Sequence, residues 1–159
     1  MSLLTMEAKV STGTVYHYFS SKDDLMKKMY CYYRSKVEAH VSIHLQGEKE
    51  YKQRFYSRWM TLYLYYTQHP KVLQFFEQFI NSPYNQERSP HHFTGAYFTF
   101  LKEGVDKKYL KPAKPEIYVA MYMGSVIMAS KINVFGSILL DEGDRELLIN
   151  KLWYGMADV

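Results

Sequence analysis

Apolar residues recur along the chain at intervals of three and four, alternation with period two is nearly absent, and the breaks fall at Gly and Pro. The pattern predicts an all-α protein of about seven helices. A short helical fragment ends near Lys9, and Ser11 then caps a helix to about Phe19 with Val15 and Phe19 on one face. Ser21 and Asp24 form a capping pattern that opens a long helix to about His44, striped by Leu25, Met29, Tyr33, Val37 and Val41. From Glu48 to His69 the inward face is Tyr51, Phe55, Trp59, Leu62, Tyr63 and Tyr66, with Tyr56 and Tyr65 on the flanks. Pro70 suits the first turn of the next helix, which runs to about Asn81 and presents Val72, Phe75, Phe76, Phe79 and Ile80. Ser89 and Pro90 predict the start of a helix to about Lys107 that stacks Phe93, Ala96, Tyr97, Phe100, Leu101 and Gly104. Beyond Pro112 and Pro115, helices are predicted from about Glu116 to Phe135 and from about Asp144 to Ala157.

Composition narrows the class. The chain has 159 residues, 47% of them hydrophobic and 23% charged, which is ordinary for a globular protein and long enough for a core without staples. Its one cysteine, Cys31, excludes an internal disulfide and points to a reducing cytoplasm. The amino terminus lacks the pattern of a signal peptide. The run without formal charge from Ile117 to Ser130 is 14 residues, too short for ~30 Å of hydrocarbon, so no membrane span is predicted. The net charge of +4 is unevenly spread: residues 1–44 carry net +2, residues 45–114 net +5 and residues 115–159 net −3. Any case for a nucleic-acid partner must therefore rest on particular residues near the start. What departs from average is the aromatic content, 17%, crowded into the middle of the chain.

The chemistry concentrates in Val10–Leu25, V-S-T-G-T-V-Y-H-Y-F-S-S-K-D-D-L. A helix end, a tight turn, a short helix with polar and aromatic residues outward, a Ser-Ser turn and a lysine opening a longer helix make the reading half of a helix-turn-helix. Thr12 and Thr14 offer hydroxyls to phosphates or base edges, Gly13 admits a close backbone, and Tyr16, His17 and Tyr18 offer hydroxyl and imidazole groups. Lys22 sits where a cation and a helix N-terminus can share one phosphate. In Ala8, Val10, Ser11, Gly13, Thr14, Tyr16, Tyr18, Phe19, Lys22 and Leu25 the sequence closely resembles the recognition-helix signature of the TetR family of bacterial repressors. Lys9 stands where that signature usually has glycine, and Val15 where it has leucine.

The resemblance implies a two-part chain: residues 1–44 a remnant helix-turn-helix domain with its connecting helix, and residues 45–159 a helical ligand-binding and dimerisation domain. It implies that Thr12, Thr14, Tyr16, His17 and Tyr18 contact bases or backbone and that Lys22 contacts phosphate. The family also places a whole helix ahead of the one holding Leu4 to Lys9. The expectation that follows is an incomplete DNA-binding domain and weak or absent operator binding by this chain.

The family's second domain varies too much to name a ligand, so the residues must. Trp59, Tyr63, Tyr66, Phe76, Phe79, Phe93, Tyr97 and Phe100 can converge on a ring-lined cavity for a small apolar or aromatic effector, although rings at helical spacing more often fill a solid core. His40 with His44, and His91 with His92, lack the Cys or carboxylate that would complete a metal site, and no cofactor is implied. No Ser/His/Asp set, paired carboxylate or glycine-rich phosphate loop supports an enzyme. On the last two helices, Ala120, Gly124, Ser125, Ala129, Leu148, Leu152 and Met156 suit close packing of two copies in a homodimer, which would set two reading helices ~34 Å apart. The favoured function is a ligand-responsive, cytoplasmic repressor of palindromic operators. A DNA-silent dimeric small-molecule-binding module is the alternative, and a membrane-surface role for the basic middle segment is the least supported.

Overall fold

The computed structural model describes residues 9, 11–45, 47, 50–85, 95–136 and 138–158. Among them the chain is all-α: α1 Thr12–Tyr18, α2 Lys22–His44, α3 Tyr51–Gln68, α4 Pro70–Ile80, α5 Ala96–Asp106, α6 Pro115–Phe135 and α7 Glu142–Met156, with a 3-10 turn at Pro83–Asn85 after α4.

The caps are set by local chemistry. The Ser11 hydroxyl accepts from the Thr14 amide at 3.0 Å to start α1, and the Ser21 hydroxyl accepts from the Asp24 amide at 3.1 Å to start α2. Asp24 accepts from the Ser20 amide and from Lys28, both at 3.0 Å, and these partners hold its carboxyl below the usual range. Asp141 and Asp144 cap α7 reciprocally, two residues earlier than the apolar spacing predicts. The expected start of α5 at Ser89 and Pro90 lies outside the described residues. Ala96 opens the described helix because Gly95 has φ +98°, a conformation that suits glycine, and a Cβ there would run into Arg34 and Glu38 of α2.

Helix α3 is the axis of the bundle, packed against α2, α4, α6 and α7. Phe55, Trp59 and Leu62 are fully buried on it, and Tyr65, expected on a flank, is buried too. On α4 the buried aliphatic is Leu73, while Ile80, expected inward, is exposed. Core hydroxyls find carbonyls on other elements: Tyr122 donates to Phe55 O at 2.7 Å, Tyr51 to Phe100 O at 3.1 Å and Tyr118 to Lys111 O at 2.8 Å. The carboxyl-terminal end is clasped by Lys111 N to Met156 O at 2.8 Å and Asp158 N to Tyr109 O at 3.1 Å.

Helix α6 has 21 residues and is long and apolar enough to cross a membrane by length and composition. Its Tyr118, Tyr122, Val126, Ala129 and Ser130 are buried against the chain itself.

A half-buried ion pair joins α3 to α5. Arg54 donates to both carboxylate oxygens of Glu103 at 2.9 and 3.3 Å, and Lys107 adds a third bond at 3.1 Å. Hydrogen bonding from Arg54 is the main cause of the lowered Glu103 pKa. Because that carboxyl is depressed in the folded state, its contribution is complete above the usual carboxylate range and fades as pH falls through it. Glu103→Gln should cost about 1–2 kcal/mol in urea unfolding at neutral pH. The gap between variant and parent should close below about pH 4; an unchanged gap would show that the contact is not ionic.

Candidate functional site

The described part of the reading segment presents its polar residues to solvent. Val15 is buried and Phe19 half-buried beneath α1, whereas Thr14, His17 and Lys22 are exposed, as are Tyr16 and Tyr18 at 48% and 69%. The side chain of Thr12 lies outside the described residues. A Cβ at Gly13 would meet the Ser11 hydroxyl at 3.7 Å, an ordinary contact, so the chain itself does not need glycine at this outward position. Lys22 faces Tyr84 of the 3-10 turn, its ammonium 5.3 Å from the ring centroid, and the neighbouring Tyr84 hydroxyl raises its pKa. Tyr84 is a contact that spacing along the sequence does not signal.

The ring candidates divide into groups. Trp59 and Tyr63 stack on each other at 5.6 Å, and the Trp59 indole donates to Ser125 Oγ at 2.9 Å. Tyr66 meets Phe76 edge-on, and Phe76 and Phe79 both contact Tyr30 of α2, the latter stacked at 4.4 Å. Phe100 turns the other way, stacked on Tyr51 at 4.6 Å. Arg58 bridges the groups, its guanidinium 4.7 Å from the Phe100 ring and 5.6 Å from that of Tyr97. Phe93 lies outside the described residues. Of the placed candidates, Trp59, Tyr63, Tyr66, Phe79 and Phe100 are buried, while Phe76 and Tyr97 are half-buried. Burial holds the Tyr66 and Tyr97 phenols well above their ordinary pKa, so both stay protonated.

On the outer side, α6 exposes an apolar stripe at helical spacing: Ile117, Ala120, Met121, Gly124 and Met128. Leu147 and Tyr154 are exposed on α7, where Leu148 and Leu152 are half-buried. Ser125 is half-buried with its hydroxyl bound to Tyr122 O, and Ala129 and Met156 face the chain's own core, so the outward apolar surface lies one helical face away from them.

His40 and His44 contact one another at 4.2 Å between ring centroids, and His91 and His92 lie outside the described residues. Among the described residues no three His, Cys, Asp or Glu side chains gather.

The family model described as bacterial regulatory proteins, tetR family, matches residues 1–29. The fold agrees with solved structures of TetR-family transcription regulators. One from Marinobacter aquaeolei VT8 has TM-score 0.81 and 20% identity over 98% of this chain and 83% of its own. Another, from Haemophilus influenzae RD, has TM-score 0.81 and 19% identity over 98% and 83%. No curated protein matches the chain. The amino-terminal segment carries the tetR-family signature, and the described fold is that of TetR-family regulators.

Within the TetR signature, the departure at Lys9 acquires a physical meaning. Lys9 sits at φ +54°, the left-handed region that an L side chain enters at a cost and glycine enters freely. The turn keeps its geometry without the residue that suits it. Lys9→Gly should therefore raise stability by about 1 kcal/mol in chemical denaturation. A loss of stability on this substitution would mean that the Lys9 side chain makes contacts outweighing the backbone strain.

Proposed function

We propose that the chain is a one-component transcriptional repressor that binds palindromic operator DNA as a homodimer and is released by a small effector. The observation that carries this reading is the outward array of Thr14, Tyr16, His17, Tyr18 and Lys22 on and just after a helix whose apolar residues Val15 and Phe19 turn inward. Hydroxyls, an imidazole and a cation on one exposed short helix are donors suited to phosphate oxygens and base edges. The exposed stripe on α6, beside Leu147 and Tyr154 of α7, is the surface for the second copy, since a contiguous apolar face of that kind is normally covered. The rings between α2, α3, α4 and α5 form the effector region. A protein acting on DNA in this way works in the cytoplasm, and no enzymatic role is proposed.

Coupling between the two ends is a population shift. Helix α4 carries Phe76 and Phe79 and leads into the Pro83–Asn85 turn, which packs on α2 and sets Tyr84 against Lys22. An effector that favours one placement of α4 thereby biases the setting of Lys22. The alternative of a DNA-silent dimeric sensor is favoured by one observation, the strained Lys9 at the turn, which weakens the seating of α1.

Fluorescence anisotropy with duplexes tiled across the DNA flanking the protein's own gene separates the two readings. The repressor reading expects one palindromic duplex bound ~10³-fold more tightly than random DNA. Tyr16→Ala should then cost about 1–3 kcal/mol. Met121→Glu combined with Met128→Glu should give a monomer by light scattering and lose operator affinity. Equal binding to every duplex by a dimer would leave the sensor reading in place.

A further inference from the structure

We propose that the effector is an organic anion, a carboxylate on a flat or chain-like apolar body, whose charged end is received by Arg58 and Tyr97. This rests on the reading of the ring cluster as the effector region. Its starting point is a local excess of donors. Arg54 Nε, Arg58 Nε, Arg145 Nε and the Tyr97 hydroxyl are sealed from solvent without a hydrogen-bond partner among the described residues. Two of these arginines are otherwise engaged: Arg54 by Glu103, and Arg145 through its bond to Leu140 O at 2.6 Å. Arg58 differs, because its recorded contacts are with rings alone, the faces of Phe100 and Tyr97.

Two carboxylates on the flanking helices are engaged elsewhere. Glu38 of α2 accepts from Arg34 at 3.3 Å, and Glu103 of α5 accepts from Arg54. Buried donors without an acceptor are uncommon in folded proteins, and a guanidinium among rings is suited to a planar oxyanion that takes two of its N–H groups. Tyr97 stays a protonated donor because burial opposes its ionisation. The ring of Tyr97, the Arg58 side chain and Phe76 are only half-buried, so this end of the cluster is within reach from outside. Tyr66 and Phe76 offer apolar surface for the rest of the molecule.

The test is calorimetric titration and thermal unfolding of the whole protein with decanoate and 3-phenylpropanoate, each paired with its alcohol, decanol and 3-phenylpropanol. At least one acid should bind about tenfold or more tightly than its alcohol. It should raise Tm by ~3 °C or more at saturation. Arg58→Met should bring the acid down to the level of the alcohol while leaving the unliganded Tm equal or higher, because the apolar stem is kept and a sealed Nε without a partner is removed. Tyr97→Phe should lower acid binding a few-fold and keep the test open should Arg58→Met fail to fold. Alcohols that bind as well as acids, or an acid preference that survives in Arg58→Met, overturn the anion assignment and leave the effector region standing. Absence of binding by all four probes overturns both.

Discussion

An aromatic-rich core is pinned at three points by what its tyrosine hydroxyls require. A phenol buried without a partner forfeits its bond to water, so a Tyr whose hydroxyl reaches a carbonyl on another element fixes the distance and register between the two. Tyr122 ties α6 to α3 through Phe55 O, Tyr51 ties α3 to α5 through Phe100 O, and Tyr118 ties α6 to the segment after α5 through Lys111 O. Gly104 belongs to the same arrangement, since a Cβ there would fall on the Tyr51 hydroxyl. The remaining rings pack around these fixed points. At Tyr97 the hydroxyl has no partner among the described residues and is left as a donor.

That contrast divides the bundle into two ends. The Tyr51, Phe55 and Trp153 end has the Tyr51 and Tyr122 hydroxyls bonded to carbonyls and its rings in stacked and edge-on pairs, which makes it the more tightly tied part. The Tyr30, Tyr66 and Phe76 end lies between α2, α3 and α4, and α2 continues to the reading segment. Helix α2 therefore meets the ring cluster through Tyr30 and the Tyr84 turn through Lys22, two contacts on one rod. Under the proposed function, these two contacts are the route by which the packing of α4 would bias the amino-terminal end of α2.

Much of this frame is written in the sequence because it depends on neighbours along the chain. Ser11 and Ser21 announce their helices through bonds to amides three residues on, and the α3 stripe from Tyr51 to Tyr66 follows directly from the helical period. What periodicity misses is decided across helices. Leu73 is buried and Ile80 exposed where α4 ends beside the turn that packs on α2, and the start of α5 follows from the left-handed Gly95 fitted under Arg34. Ring spacing alone gives Phe100 and Trp59 the same standing, yet one stacks on Tyr51 and the other on Tyr63. Arg58 and Tyr84 carry no signal of their own: a charged residue on a helix flank reads as solvated until the rings around it are placed.

Helix α6 shows where composition stops deciding. A helix apolar nearly all round can face a core, a second copy or lipid, and its period does not distinguish them. The inner face resolves part of the ambiguity: Tyr122, Ser125 and Ser130 each find a partner within the chain, and Lys131 pairs with Glu77 of α4 at 2.8 Å. These contacts commit that face to protein packing. The stripe through Ile117, Met121, Gly124 and Met128 is the opposite face of the same rod. Its exposed Gly124 leaves room for another backbone to approach closely, an advantage in helix-to-helix packing, where contact grows as side chains shrink.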